Sequence, residues 1–254
     1  MNILITAGGT SESIDSVRHI ANYSTGRLGG IIANKFASKN STVTYLHGSG
    51  AILPSAENAN YIKKIPISNT RELLQKLENL LTNHKYDCVI HSMAVSDFTP
   101  QAISSLEDII ASVVSRLHHG KANHDADLAT LVKEAILSAG HPPTDSKLSS
   151  NNENMMILLK QTPKAIKLIK ALQPNTQLVG FKLLSHATKT ELYQAATNLL
   201  TQNACDYVLA NDLSQISGDT HKAILINKSG HTRTAQTKQE IAEIIYKAVT
   251  EESQ

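Results

Sequence analysis

Short apolar runs alternate along this chain with longer stretches in which apolar residues recur every three or four positions. These are the two periods that separate strands from helices. Asn2–Ala7 is a short apolar run closed by Gly8-Gly9, and Ser41–His47, Tyr61–Ile67, Cys88–Val95, Met155–Leu159, Gln177–Leu183, Tyr207–Ala210 and Ala223–Asn227 read as further strands. Cys88–Val95 is apolar enough for a strand buried on both faces. Leu28, Ile31, Ile32 and Phe36 mark a helix over about Thr25–Ser38. Asn69-Thr70-Arg71-Glu72 has the form of a helix start, ahead of a stripe of Leu73, Leu74, Leu77, Leu80 and Leu81. Thr162–Leu172, Thr188–Gln202 and Lys238–Val249 supply further helices. Strands alternating with helices of this length predict an α/β, Rossmann-like fold, a mostly parallel sheet with helices on both faces. One domain over residues 1–254 is expected.

The rhythm breaks in two places. Residues 101–146 read as a helical surface insertion of two short helices and a connection, a lid or an interface element. The other break follows the first strand, in LITAGGTSESIDSVRHIANYSTGRLGG (Leu4 to Gly30). A glycine pair ending a first strand ordinarily opens a helix at once, with the helix N-terminus facing a pyrophosphate. Here about sixteen mostly polar residues intervene before the second glycine group, Gly26, Gly29 and Gly30.

Composition narrows the partners. Among 254 residues, 41% are hydrophobic, ample for a core, while a net charge of +2 and only 4% aromatics give no reason to expect a nucleic-acid surface. No apolar run approaches the ~20 residues of a membrane helix. Met1-Asn2-Ile3-Leu4 enters a strand without a basic region or cleavage site, so no signal peptide is expected. Cys88 and Cys205 form no CxxC pair and read as buried, reduced thiols of a cytoplasmic protein.

Candidate chemistry gathers at strand ends. Gly8, Gly9 and Thr10 can offer backbone N–H groups and a hydroxyl to an anion, although a tight turn explains two glycines equally well. NAD(P) binding asks for an acid, or an arginine, after the second strand. Tyr45-Leu46-His47-Gly48-Ser49-Gly50 has neither, which disfavours an NAD(P)-dependent oxidoreductase or epimerase. Arg18 and Asn22, four apart, share a face if their stretch is locally helical. Arg18 then suits an anionic group and Asn22 a carbonyl oxygen; the alternative is a hydrogen-bonded surface loop. Asp97, just past an apolar strand, stands where open parallel sheets bind ligands, and Asn211-Asp212 is placed similarly but also favours turns. His118, His119, His124 and Asp125 match no defined zinc spacing and read as a solvated loop.

In order along the chain, ITAGGTSESIDSVRHIANYSTGRLGG, HSMAVSDF, KLSS with the later KQTPKAI, VGFKLL, and DYVLANDLS followed by AILINKSG resemble the phosphopantothenate–cysteine ligase (phosphopantothenoylcysteine synthetase) family. The matches cover most of the chain outside 51–85, 101–146 and the last helix, and the chain looks like the free-standing bacterial form. The resemblance implies a homodimer that joins L-cysteine to 4′-phosphopantothenate in coenzyme A biosynthesis. It places Arg18, Asn22 and Gly26 at the substrate. It places Gly8, Gly9, Thr10, Met93, Ala94, Asp97, Lys147, Pro163, Lys164, Ala165, Ile166, Phe181 and Lys182 at the nucleotide, CTP or ATP, with Mg²⁺ held mainly by the phosphates.

The implied chemistry suits those residue types. The substrate carboxylate attacks the nucleotide α-phosphate and releases pyrophosphate; the cysteine amine then displaces the nucleoside monophosphate. The first step concentrates negative charge, a task for Lys147; the second passes through an oxyanion, a task for the neutral amide of Asn22. Three features depart from the family's patterns. Lys147-Leu148-Ser149-Ser150 stands for the K-x-K-K of many bacterial members. Ala195 and Leu199 stand where the fused enzymes carry lysines, with Lys182 as the replacement, as in the family's GFK variant. Leu183-Leu184-Ser185 follows where that variant carries L-E-T. A non-catalytic nucleotide-binding regulator is the remaining alternative.

Overall fold

The computed structural model describes residues 1–119, 125–144, 146–147 and 153–251. The chain forms two compact units: Met1–Thr10, Asn22–Val95 and Lys164 onward make the first, Ser11–Ala21 and Ser96–Pro163 the second.

The first unit is built on an eight-stranded sheet. Its strands are β1 (Asn2–Ala7), β4 (Thr42–Gly48), β5 (Ile62–Ile67), β6 (Cys88–His91), β9 (Gln177–Leu184), β10 (Tyr207–Ser217), β11 (Thr220–Asn227) and β12 (Thr232–Thr237), in the order β12-β11-β10-β9-β6-β1-β4-β5. From β5 to β10 every pairing is parallel; β10, β11 and β12 close the sheet as an antiparallel meander. The fold is thus the mostly parallel α/β architecture that the alternation predicts. β12 carries no strand signal in the sequence, because TRTAQT is polar and mostly exposed, as an edge strand can be.

Two cores cover the two faces. Helices α1 (Arg27–Ala37) and α7 (Lys238–Glu251) pack on one, over Ile3, Ile5, Tyr45, Ile90, Val179 and Leu209. Helices α2 (Thr70–Asn83), α5 (Ala165–Leu172) and α6 (Lys189–Asn203) pack on the other, over Leu4, Leu46, Val89, Leu178 and Val208. Within each strand, neighbouring residues fall in opposite lists, which is the strand period itself. In α2 the leucine stripe buries Leu73, Leu77, Leu80 and Leu81, each contributing about 1.5–3 kcal/mol by removal from water. At its start Asn69 Oδ1 caps the helix, accepting from Glu72 N–H at 2.9 Å, and Glu72 Oε2 accepts from Ser68 N–H, one residue before the cap, at 2.8 Å.

The second unit corrects the insertion reading. Phe98–Ser105 is a strand, β7, and its partner β8 (Met155–Gln161) pairs with it antiparallel instead of joining the central sheet. The two helices between them, α3 (Leu106–His119) and α4 (Asp125–Ala139), run 14 and 15 residues and are not short. Ala135 is sealed between them, and Ser112 Oγ donates to its carbonyl at 2.9 Å. Ser11–Ala21 belongs to this unit as well, as a hairpin of β2 (Ser11–Ser13) and β3 (His19–Ala21). Of the histidine stretch, His124 lies outside the described residues, as do Leu148, Ser149 and Ser150 of the family's lysine motif.

Candidate active site

β1 lies between β4 and β6 and is parallel to both, so the loops leaving all three emerge on one edge. Such an edge is where open α/β sheets bind ligands. The β1 and β6 loops are zipped by backbone bonds: Ala94 N–H donates to Gly8 O at 2.8 Å and Thr10 N–H to Ala94 O at 3.2 Å. Ser92 adds its N–H and its hydroxyl, both to Thr6 O, at 3.1 and 2.7 Å. Gly8, Gly9, Met93 and Ala94 are therefore one continuous patch of main chain. The Met93 side chain points away from it, into the α2/α5 core. Thr10 is wholly buried, with its hydroxyl 3.2 Å from that of Thr70 in the first turn of α2, a contact that ties the two elements.

Asn22 sits on this patch. A Cβ added to Gly9 would come 2.8 Å from Asn22 O, so the Asn22 peptide lies directly over that glycine. The exposed side-chain amide donates to Val95 O at 3.3 Å, a long bond that leaves the donor available for exchange. Gly26 follows, with φ +69°, as the N-cap of α1. This left-handed backbone costs glycine least, and it turns the chain into the helix after the long excursion.

Arg18 and Asn22 do not share a helical face. The stretch is the β2–β3 hairpin, and in its turn Arg18 Nε and a terminal nitrogen reach Asp15 Oδ2 at 2.8 and 2.6 Å. Asp15 is itself buried and takes the N–H groups of Val17 and Arg18 on its other oxygen at 2.9 and 2.8 Å. Much of the Arg18 charge is thus engaged within the second unit. Helical periodicity misled here, because four-residue spacing carries no meaning across a turn.

At the end of β4 the backbone packs directly on the β1 loop. A Cβ on Gly48 would fall 2.2 Å from Gly9 O, so the two main chains touch without room for a side chain between them. The acidic partner that a dinucleotide asks for after this strand is lacking.

The remaining candidates lie as follows. Asp97 is exposed and its carbonyl accepts from Thr162 N–H at 2.9 Å; Lys147 and Pro163 are exposed; all three belong to the second unit. Lys164 is the N-cap of α5, whose first residues, Ala165 and Ile166, turn into the core. Phe181 packs on the α1/α7 face of β9, and the alternation puts Lys182 on the opposite face. Leu199 belongs to packing: its Cδ2 would lie 3.3 Å from a Cβ on Gly180, so this α6 position supports β9 in this chain.

Two buried histidines form hydrogen-bonded devices on this edge: His91, whose place near a strand end reads as structural in the sequence, and His221, which carries no such signal. His91 Nδ1 is 2.8 Å from Thr6 Oγ1, and burial pushes its pKa down to about 4, which makes it a neutral hydrogen-bonding group at pH 7. His221 is likewise pushed down to about 4, by burial and then by Lys238, with Nε2 2.9 Å from Asn211 Nδ2. Asp212, weighed as a ligand or a turn residue, is buried within β10 and accepts hydrogen bonds from neighbouring residues. Ser214 hydroxyl and N–H and the Ala187 and His186 N–H groups hold its pKa at about 2.

The family model described as the DNA/pantothenate metabolism flavoprotein C-terminal domain matches residues 1–107 and 131–252. The crystal structure of the DNA/pantothenate metabolism flavoprotein from Streptococcus pneumoniae is 37% identical, covers 98% of each chain and superposes with a TM-score of 0.80. The coenzyme A biosynthesis bifunctional protein CoaBC of Thermococcus kodakarensis is 27% identical over 245 residues, 96% of this chain and 49% of that protein. This chain therefore spans about half the length of the curated relatives it matches. A Cab2 variant in complex with phosphopantothenate-cysteine shares the fold, at 16% identity and a TM-score of 0.69, over 99% of this chain and 88% of that one.

Proposed function

The chain belongs to the DNA/pantothenate metabolism flavoprotein C-terminal domain family, and from that premise we propose that it joins L-cysteine to 4′-phosphopantothenate in coenzyme A biosynthesis. The reaction is that of a phosphopantothenate–cysteine ligase, with residues 1–254 acting as one synthetase domain. The observation that carries the proposal is Asn22, an exposed amide donor on the glycine patch where the β1 and β6 loops meet.

In this reading the nucleotide, CTP with ATP as the alternative, is taken up by Gly8, Gly9, Thr10, Met93, Ala94, Asp97, Lys147, Pro163, Lys164, Ala165, Ile166, Phe181 and Lys182. Arg18, Asn22 and Gly26 serve the acyl substrate. A carboxylate is a poor electrophile, so its activation by the nucleotide and the loss of pyrophosphate come first. Lys147 offsets the charge that gathers on the phosphates. When the cysteine amine adds, the former carbonyl oxygen becomes an oxyanion, and the Asn22 amide, shifted from Val95 O, donates to it. No protein nucleophile is needed. Mg²⁺ in this proposal arrives on the nucleotide phosphates and supplies charge neutralisation there.

The protein works as a cytoplasmic homodimer in the same reading. In support, the second unit leaves Ile110, Val114 and Leu117 of α3, Leu128 and Leu137 of α4, and Met156 and Leu159 of β8 exposed, an apolar set of the kind that subunit contacts cover. No described helix is long and apolar enough to cross a membrane. The test is mass spectrometry of the product formed from 4′-phosphopantothenate, cysteine, Mg²⁺ and either nucleotide, with sedimentation of the same sample. An amide product from a dimer is expected; nucleotide binding without product would favour the regulator.

A further inference from the structure

The stretch after β4 lacks the acid of a dinucleotide enzyme, yet it is fastened to the Asn22 loop at several points. Ala51 places its methyl in the wedge between two left-handed glycines: an added Cβ would lie 2.8 Å from it at Gly8 (φ +80°) and 2.9 Å at Gly26 (φ +69°). Ile52 N–H donates to Thr25 O at 2.8 Å, three residues beyond Asn22. The Tyr45 hydroxyl, fully buried, stands 3.4 Å from Gly26 O and 3.5 Å from Ile52 O, longer than an ordinary O–H···O bond, so it packs against both the loop and the brace. Burial also pushes the Tyr45 phenol up, which keeps its proton in place at any working pH. The stretch is anchored at both ends. Ala51 N–H closes a turn onto Gly48 O at 3.1 Å, and farther on Ser55 gives its N–H and hydroxyl to Asn34 Oδ1 of α1 at 3.1 and 3.2 Å.

We infer that Tyr45, Ala51 and Ile52 are positioning residues for the amide-forming step, a brace that fixes where the Asn22 amide stands over Gly9. The inference rests on the ligase reading for the role of Asn22 and adds residues to it that touch no substrate. The loop from Asn22 to Gly26 has no regular secondary structure, and Asn22 itself is exposed, so its place is set by contacts from elsewhere. On the β4 side those contacts are these three residues. A reacting group displaced by ~1 Å can lose about 10²-fold in rate, which is why such a brace affects turnover and not only stability.

The test uses the full chain with Tyr45→Phe and Ala51→Gly. Each is expected to lower kcat about 10-fold while the KM values for 4′-phosphopantothenate and nucleotide stay within about 2-fold, because positioning acts on the bound complex. The double variant Tyr45→Phe with Asn22→Ala is expected to be no slower than Asn22→Ala alone, the mark of groups acting as a unit. Amide hydrogen exchange across residues 20–28 should quicken in Tyr45→Phe with or without substrates. Wild-type kcat in both variants, additive losses in the double variant, or unchanged exchange would overturn the brace while leaving the ligase reading intact. A wild type that makes no amide with either nucleotide would overturn the ligase reading, and the catalytic role of the brace with it.

Discussion

The two edges of the central sheet are built on opposite principles. At the amino edge, long polar side chains satisfy the loops from within. Asp206 Oδ2 takes Lys170 Nζ at 2.8 Å and Leu178 N–H at 2.9 Å, and the Gln173 side chain bridges Leu81 O, His84 O and Tyr86 N–H. At the carboxyl edge, glycines bring main chains into direct contact. The side chains beneath, Thr6 and His91, are neutral and closed on each other. The amino edge takes its shape from side-chain hydrogen bonds and an ion pair; the carboxyl edge, assembled from backbone and small residues, depends on close packing for its shape.

The largest effect should come from breaking that packing. In Gly48→Ala the new methyl falls 2.2 Å from Gly9 O, a backbone atom that has little freedom to yield. Loss of turnover and a destabilisation of about 1–3 kcal/mol or more are expected, read by thermal unfolding beside an activity assay. Asn22→Ala should leave stability within about 0.5 kcal/mol, since the residue is exposed, yet slow the amide-forming step about 10²–10³-fold. Equal loss of fold and rate would show that the loop, and not the donor, matters.

Acid should open the carboxyl edge before the amino edge. The folded pKa of His91, about 4, lies below the ordinary value of 6.5. Its contribution is full above pH 6.5 and is lost as pH falls toward 4, some ~3 kcal/mol in all. Stability of His91→Gln measured across that window should be correspondingly flatter. Asp206 behaves oppositely in range. Burial raises its pKa, but the hydrogen bonds from Lys170 and Leu178 and the Lys170 charge outweigh burial and hold it low. Its contribution is present above the ordinary carboxylate value of ~3.9 and lost only as pH falls through the lower folded value. Asp206→Asn should cost about 1.5–3 kcal/mol and leave turnover alone. The smallest effect belongs to the thiols. Burial and then Asp206 push Cys205 up to about 12, and Cys88 is raised further, so neither should react with iodoacetamide in the native protein at pH 7.5.

The same contrast explains what the sequence reveals. Strands and helices of the first unit are legible because burial on two faces imposes its period on Leu4, Ile5, Leu73 and Leu77 alike. The glycine patch and Asn22 are legible as a motif. The clasp of Arg18 on Asp15 is not, since it lies within a turn, where neither period applies. Nor is the pairing of β8, whose apolar residues mark it as a strand but do not distinguish pairing with β7 from a place in the central sheet. Ala51 gives no signal at all: its role is to be small between Gly8 and Gly26, and that is visible only when the three are assembled.

The most direct measurement is rapid-quench pyrophosphate release with 4′-phosphopantothenate, Mg²⁺ and CTP or ATP, with and without cysteine, on the wild type and Asn22→Asp. The account predicts a single burst without cysteine and sustained release with it in the wild type, and a burst without turnover in the variant. No release from wild-type protein that binds nucleotide would contradict it.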